Sequence, residues 1–340
     1  MLTGPTALLG ELQQRAIGMA IEKINKDGGI NGRQLEVVVE DSAYDPKTAV
    51  SAYQALKLKG LRNFIIDGSS VVAATRKLVV DDGNFTIAPV ATALNYYDGN
   101  NRTCRISITA RTIGPRLSEL VLKKGYKKVA VLLPDNEYGR GWAEEFTKSY
   151  PTQGGTIVVT EFYSAAPGMN DYRTSITKIK AKQDDIDGIV MSNVLNTVES
   201  MLKQMKEIGL TKPIISDFAT LTNPALKDMS LVEGVDYVEY EYTKDDVATD
   251  SSDTRAFKMA YREKYNSSPI YFSAGHYDVT LLLAKAISVV GEDPQKIADY
   301  ISGLKEYQGI TGKYSFDSDC EVQRNTVFRH VKDGKSIEFK

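Results

Sequence analysis

The sequence is poor in the residues that do chemistry. Among 340 residues there are two cysteines, two histidines and one tryptophan. No CxxC or Cys/His spacing is present, and His276 and His330 stand apart, so no metal centre is expected. Neither GxGxxG nor a P-loop occurs, and no cofactor is expected. No apolar run approaches the roughly 20 residues needed to span a bilayer. Charge of one sign is also lacking. A net charge of −2 gives no electrostatic case for nucleic acid or an anionic membrane. The N-terminus lacks the basic and apolar regions of a signal peptide. Flexible linkers, low-complexity stretches and internal repeats are absent.

What is present suits a globular chain. Hydrophobic residues make up 42% and charged residues 25%, and the length allows two ordinary domains. Helix and strand signals alternate, which points to an α/β fold with parallel sheets. Glu11 to Lys26 carries Leu12, Ala16, Met19, Ala20 and Ile24 at helical spacing, and Asp27-Gly28-Gly29 stops it. Leu35–Val39 reads as a short strand. Asp45-Pro46 reads as a helix cap with proline at the first helical position, and that helix runs to about Lys59. A strand at Asn63–Ile66, a helix at Ser69–Val80 and a strand at Phe85–Ala88 follow.

The alternation resumes with a strand at Val129–Leu133 and a helix at Tyr138–Tyr150. Next come a strand at Thr156–Phe162, a helix at Asn170–Lys182 and a strand at Ile186–Met191. Asn196–Ile208 reads as a helix, Pro213–Ser216 and Val235–Tyr240 as extended runs. Long helices are expected near Asp253–Tyr265 and Tyr271–Val290. From Tyr307 the chain reads as antiparallel strands: Ser315-Phe316, Thr326–Val331 and Ile337–Phe339, with a hairpin turn at Asp333-Gly334.

Enzyme chemistry is not expected. The best triad would draw Ser69 or Ser192 with His276 or His330. No GxSxG elbow precedes either serine, and neither histidine has an orienting carboxylate by sequence. Cys104 and Cys320 are compatible with one disulfide or with two separate thiols.

Several short motifs occur in a fixed order. They are Leu2-Thr3-Gly4-Pro5 with Gly10, Gly28-Gly29-Ile30-Asn31-Gly32-Arg33, and Glu40-Asp41. Asp67-Gly68-Ser69-Ser70, Ala88-Pro89-Val90-Ala91-Thr92 and Tyr138-Gly139-Arg140-Gly141 follow, then Tyr277-Asp278 and Gly312-Lys313-Tyr314-Ser315-Phe316-Asp317. In this order and spacing the chain resembles the periplasmic leucine/isoleucine/valine-binding proteins, the solute receptors of ABC importers. The resemblance covers nearly the whole chain. It implies a type I periplasmic-binding-protein fold: two Rossmann-like lobes with parallel central sheets, joined by three hinge crossings. The crossings are expected near Cys104–Ile108, Tyr240–Tyr242 and Ser318–Val322. Lobe 1 would comprise 1–105 plus 242–318, and lobe 2 would comprise 106–241 plus 321–340, with the ligand cleft between them. In that family a strand precedes the first loop. The resemblance therefore implies a first strand missing from this sequence, and about ten further residues ahead of Met1.

The resemblance also implies a site. On the residues alone, Ser69 reads as a helix cap and Thr92 as a turn residue. Within the family they become ligand groups. Ser69 and Ser70 open a helix whose unpaired N–H groups and dipole favour a carboxylate, and each hydroxyl adds a donor. Thr92 supplies another hydroxyl, the Val90 carbonyl an acceptor for an ammonium group, and Ala91 lies between them. Tyr138 matches a residue that closes over the ligand, with Trp142 nearby. Leu9 and Val194 stand where the pattern more often has aromatics, Asp217 is the nearest acidic candidate for an ammonium partner, and Phe272 is a candidate apolar wall. Since a buried ammonium without a carboxylate is costly, either Asp217 serves or the ligand is not an α-amino acid. Cys104 and Cys320 fall on two implied crossings, where a disulfide would suit an oxidising compartment.

The function so implied is an extracytoplasmic solute receptor, periplasmic or lipid-anchored and monomeric. It closes on an amino acid or related small carboxylate and is then read by an ABC permease. The alternative is the ligand-sensing domain of a receptor or regulator with the same fold.

Overall fold

A computed structural model describes residues 2–4, 7–93, 99–166, 168–194, 197–222, 224 and 226–339. Pro5 of the first motif and Asn196, the expected start of a helix, lie outside the described residues. In chain order the first elements are α1 (Ala7–Lys26), α2 (Pro46–Leu58), β1 (Asn63–Ile65), α3 (Ser69–Asp81), β2 (Phe85–Ala88) and β3 (Thr103–Arg105). Then come α4 (Ala110–Lys123), β4 (Lys128–Pro134), α5 (Glu137–Thr152), β5 (Thr156–Tyr163), α6 (Arg173–Lys180), β6 (Gly188–Met191), α7 (Thr197–Ile208), β7 (Ile214–Asp217), α8 (Phe218–Leu221) and β8 (Asp236–Tyr240). The chain ends with α9 (Ser252–Tyr265), α10 (Tyr271–Val290), α11 (Pro294–Ser302), β9 (Tyr307–Gly309), β10 (Gly312–Phe316), β11 (Val322–Arg324), β12 (Thr326–Lys332) and β13 (Lys335–Glu338).

The chain forms two compact units. Unit 1 comprises Met1–Ala91, Asn95–Ile108 and Glu241–Asn325. Unit 2 comprises Thr92–Leu94, Thr109–Tyr240 and Thr326–Lys340. The α/β class with parallel-dominated sheets is as the alternation predicts.

In unit 1, β1, β2 and β3 form a parallel sheet in that order, with Phe64 opposite Thr86 and Ile87 opposite Cys104. Phe85, Ile87 and Ile106 pack with Val279 and Leu282 of α10 and Ile297 of α11. The Asp45 carboxylate caps α2 through the Thr48 N–H at 2.8 Å, and Pro46 needs no partner at the first helical position. A small antiparallel sheet, β11-β10-β9, completes the unit. Buried Asp278 ties it to α10 by accepting the N–H groups of Ile310 (2.7 Å) and Thr311 (2.9 Å) and the Thr311 hydroxyl. A methyl at Gly309 would lie 2.5 Å from that carboxylate, which accounts for the glycine. Cys104 at the centre of β3 is disulfide-bonded to Cys320, with Cα atoms 4.9 Å apart.

In unit 2 the sheet order is β13-β12-β8-β7-β6-β4-β5. From β8 to β5 the pairing is parallel, while β12 and β13 add antiparallel edges. The β12–β13 hairpin turns on Asp333 (φ 53°) and Gly334 (φ 67°), the double positive-φ geometry that an Asp-Gly pair favours. Ile176, Ile179, Met201 and Met205 pack one face of the sheet against Ile189 and Met191.

Three expectations are corrected. Leu35–Val39 forms no strand, because among the described residues its backbone has no neighbouring strand to pair with. The helix expected at Asn170–Lys182 spans only Arg173–Lys180. Its Tyr172 N–H is held by Gln204 Oε1 at 2.7 Å, and that bond fixes the preceding turn. The last strand ends at Glu338 rather than Phe339, where the β12 pairing ends. Helix α4, not expected from spacing, contains Pro115. Beside it, a methyl at Gly114 would lie 2.8 Å from the Glu145 backbone, so this glycine lets α4 approach α5 closely.

Candidate functional site

The Asp67–Ser70 turn of unit 1 follows β1 and opens α3. Gly68 caps α3 with φ +89°, and no side chain caps the helix. A Cβ there would sit 2.3 Å from the Tyr44 ring, so glycine is required on two counts. Ser69 is the first helical residue and is buried; Ser70 is half-buried. This turn is locked to the end of β2: the Gly68 N–H donates to the Val90 carbonyl at 2.9 Å, and the Val90 N–H donates to Asp67 Oδ1 at 2.7 Å. The Val90 carbonyl, an expected ligand acceptor, thus already takes one backbone donor.

Ala91 is equally well tied. Its N–H donates to Ser107 Oγ and its carbonyl accepts from the Ser107 hydroxyl, both at 2.9 Å. The same carbonyl accepts from Arg105 Nη1 at 3.0 Å. Arg105 is buried and paired with Glu321, its Nη2 lying 2.7 Å from Oε2. In the sequence, only the position of the two residues beside the two cysteines signals this pair.

Asp67 lies beneath the turn. Burial pushes its carboxyl up to about 7, against hydrogen bonds from Val90, Gly68 and Gln13 that favour the ionised form. His276 Nε2 lies 3.8 Å from Asp67 Oδ2, while its Nδ1–H donates to the Phe272 carbonyl at 2.6 Å. Burial holds that imidazole down to about 4, so it is neutral at pH 7. Leu9 is buried in α1, and Phe272 is half-buried in the first turn of α10.

The first motif has its own polar tie. Asp41 accepts the Leu2 N–H at 2.6 Å, the Ala43 N–H at 2.8 Å and the Thr3 hydroxyl. Burial would raise its pKa, but these hydrogen bonds outweigh it and hold the carboxyl well below the usual range.

In unit 2 the expected residues converge on Asp217, at the end of β7. Oδ2 accepts from the Tyr138 hydroxyl at 2.5 Å and from Trp142 Nε1 at 3.1 Å. Oδ1 accepts from the Ser192 hydroxyl at 2.7 Å and from the Ala219 N–H at 3.2 Å. Four donors match the capacity of one carboxylate. Asp217, Tyr138 and Trp142 are all buried. Burial raises the Asp217 pKa, opposed by the hydrogen bonds from Tyr138, Ser192 and Trp142. Tyr138 owes its place to the α5 start, where Asn136 accepts the Gly139 N–H at 3.0 Å. A methyl at Gly139 would lie 2.0 Å from the Pro134 carbonyl oxygen, which explains the glycine after Tyr138.

Val194 is half-buried, and its N–H donates to the Tyr163 hydroxyl at 3.3 Å. Tyr163 was not expected at the site; it also donates to the Ser192 carbonyl at 3.1 Å. Thr92 is buried in unit 2, and its carbonyl accepts from the Ala110 N–H at 2.9 Å. Ser192 is engaged by Tyr138 and Asp217, and His330 by Asp236 at 2.9 Å. Among the described residues no cluster of three or more His, Cys, Asp or Glu side chains is placed to hold a metal. No described helix is long and apolar enough to cross a membrane.

The Periplasmic binding protein family model matches residues 1–335. The chain belongs to the periplasmic binding protein family. Among its curated relatives, the leucine-, isoleucine-, valine-, threonine- and alanine-binding protein of Pseudomonas aeruginosa is 28% identical, the match covering 100% of this chain and 90% of that one. A Leu/Ile/Val-binding protein homolog of Brucella abortus is 25% identical over 98% of this chain and 90% of its own. Among solved structures, the branched-chain amino acid transporter substrate binding protein LivJ from Streptococcus pneumoniae, in complex with isoleucine, is 27% identical with a TM-score of 0.85. That match covers 98% of this chain and 95% of LivJ. A solute binding protein from Rhodopseudomonas palustris, in complex with benzoate, shares the fold at 20% identity, with a TM-score of 0.84 over 99% of this chain and 92% of its own. This family is made up of solute-binding proteins.

Proposed function

We propose that this periplasmic binding protein is the extracytoplasmic receptor of an ABC importer and binds an amino acid or a related small carboxylate without chemical change. The observation that carries the reading is the start of α3. Its cap is Gly68, no side chain caps it, and the Ser69 and Ser70 hydroxyls stand at its first turn. Helix N–H groups, the helix dipole and a hydroxyl together favour a carboxylate. The names of the relatives support the solute class. In this reading Ser69, Ser70, Val90 and Ala91 serve from one lobe and Thr92, Tyr138 and Val194 from the other. Leu9 and Phe272 bound the apolar side, and the lobes close on the solute. Closure is favoured only by as much as the ligand prefers the closed form. A monomer docking on a permease completes the proposal, and the Cys104–Cys320 disulfide suits the oxidising side of a membrane.

The saturation of Asp217 favours ligands without an ammonium group. Four donors already surround its carboxylate. We therefore assign Asp217 the role of holding Tyr138 and Trp142 in place, rather than that of an ammonium partner.

Calorimetry with leucine, isoleucine, 4-methylpentanoate and benzoate tests both statements. At least one should bind, and 4-methylpentanoate should bind no more weakly than leucine. Ser69→Ala should weaken the binding about tenfold or more, since a hydrogen bond to a charged group contributes about 1.5–3 kcal/mol. Failure of all four to bind would sink the receptor reading. A strong preference for leucine over its des-amino analogue would restore Asp217 as ammonium partner.

A further inference from the structure

A buried ion pair stands behind the segment that follows β2. Glu321 takes two arms of the Arg105 guanidinium, Nε at 2.8 and 3.0 Å and Nη2 at 2.7 Å. The third arm, Nη1, donates to the Ala91 carbonyl at 3.0 Å. Arg105 is 1% exposed and Glu321 6%. The desolvation of such a pair offsets most of its attraction, so stability alone is a poor reason for it. The direction of the third arm supplies a better one.

The pair is itself held rigidly. The Cys104–Cys320 disulfide sets the residues before Arg105 and Glu321 side by side, with Cα atoms 4.9 Å apart. Asp317 brackets Glu321: its N–H donates to the Glu321 carbonyl at 3.1 Å, and its Oδ1 accepts the Glu321 N–H at 2.9 Å. The residue after Arg105 is fixed as well. The Ile106 N–H donates to the Ala88 carbonyl at 3.0 Å, and the Ile106 carbonyl accepts from Arg324 Nη1 at 2.9 Å. A guanidinium held this way presents its planar fork in one direction.

Ala91 is the target of that fork. The peptide before it is pinned at both ends, by the Gly68 N–H on the Val90 carbonyl and by the Ala91 N–H on Ser107 Oγ, each at 2.9 Å. The peptide after it is pinned through the Ala91 carbonyl, by the Ser107 hydroxyl and by Arg105. A hydroxyl rotates to suit its partners, whereas the charged fork keeps its aim and makes the stronger bond. A trans peptide is planar, so the direction of the Ala91 carbonyl sets that of the Thr92 N–H.

We propose that Arg105 is a positioning residue of the carboxylate site: its third arm, aimed by Glu321, fixes the peptide between Ala91 and Thr92 and so sets how Thr92 is presented to the solute. The ligand half of this statement rests on the receptor reading; the geometric half does not.

Two variants test it. Arg105→Met with Glu321→Met removes both charges together and leaves no orphan, so this protein should melt within about 4 °C of the parent. Arg105→Lys keeps a charge opposite Glu321 but offers no second arm to Ala91. In both, with no ligand present, the Ala91 amide should exchange at least about tenfold faster than in the parent, while Val279 and Leu282 in α10 are unchanged. Whichever of leucine, isoleucine, 4-methylpentanoate and benzoate binds the parent should bind both variants at least about tenfold more weakly. Parent-like Ala91 exchange overturns the proposal, and so does parent-like affinity in a variant whose Ala91 exchanges fast. Loss of folding in both variants overturns it too, since the pair would then be structural. If the parent binds none of the four, the receptor reading fails by itself, and Ala91 exchange still decides whether Arg105 aims this peptide.

Discussion

The indole N–H of Trp142 points at Asp217, 3.1 Å from the carboxylate oxygen that also receives the Tyr138 hydroxyl. The only tryptophan of the chain is thus wired to the group that orients the expected closing tyrosine. Its emission reports on the state of that carboxylate. Asp217→Asn turns one acceptor oxygen into an NH₂ and leaves a donor facing donors. The cost of such a buried mismatch is about 1–3 kcal/mol. A melting midpoint lowered by roughly 4–8 °C is expected, with a shifted Trp142 emission maximum. Leucine and 4-methylpentanoate should lose affinity equally. A loss confined to leucine would mean that Asp217 reaches an ammonium group.

Gly139 sits where α5 turns off the end of β4. A Cβ there would meet the Pro134 carbonyl oxygen at 2.0 Å, and backbone cannot give way as a side-chain tip can. Gly139→Ala should therefore destabilise by about 1–3 kcal/mol. It should also weaken ligand binding, because the α5 start carries Tyr138. Chemical denaturation gives the first quantity and calorimetry the second. An unchanged denaturation midpoint would show that the turn is pliable.

The disulfide links β3 to the turn before β11 across a separation of 216 residues. Cross-links over long loops restrict the unfolded chain most, and losing a native one costs about 2–5 kcal/mol. The Arg105–Glu321 pair lies next to both cysteines in sequence, so the loss should also loosen the Ala91 carbonyl that Arg105 holds. Cys104→Ser with Cys320→Ser should lower the melting midpoint, and reductant should no longer affect it. Equal melting of this variant and the oxidised parent would dismiss a stabilising role.

Much of this was legible in the sequence because the signals were local. The Asp45-Pro46 cap, the Tyr271–Val290 helix and the Asp333-Gly334 hairpin each follow from residues within a few positions of one another. What was not legible depends on distant partners. Leu35–Val39 has the composition of a strand, but a strand exists only with a neighbour, and composition does not supply one. Helix α4 was obscured by Gly114 and Pro115, residues that look like a break but serve close packing against α5. Ser69, Thr92 and Tyr138 become candidates only through the family resemblance, since on the residues alone Ser69 reads as a helix cap and Thr92 as a turn residue. The four donors on Asp217 are not legible at all, since they come from Ser192 just after β6, from α5 and from the start of α8.

Asp67 gives the chain a pH signature. Its carboxyl titrates near 7 when folded, against an ordinary value of 3.8, because it is buried. Between those values the folded chain holds a proton that the unfolded chain has lost. The stability this proton represents is complete below about pH 4 and drains away as pH rises through 7. His276, the titratable neighbour at 3.8 Å, is held down to about 4 and stays neutral over most of that window. Asp67→Asn keeps one acceptor oxygen for Val90 or Gln13 and cannot ionise. Melting curves of the two proteins from pH 4 to pH 8 should therefore converge or cross, with the parent relatively most stable at the acid end. Asp41, held well below the usual carboxylate range, acts in the opposite sense in both proteins and cancels in the difference. A constant gap across this range would mean that Asp67 is already ionised at pH 4, and that the turn under Ser69 carries a negative charge at all working pH values.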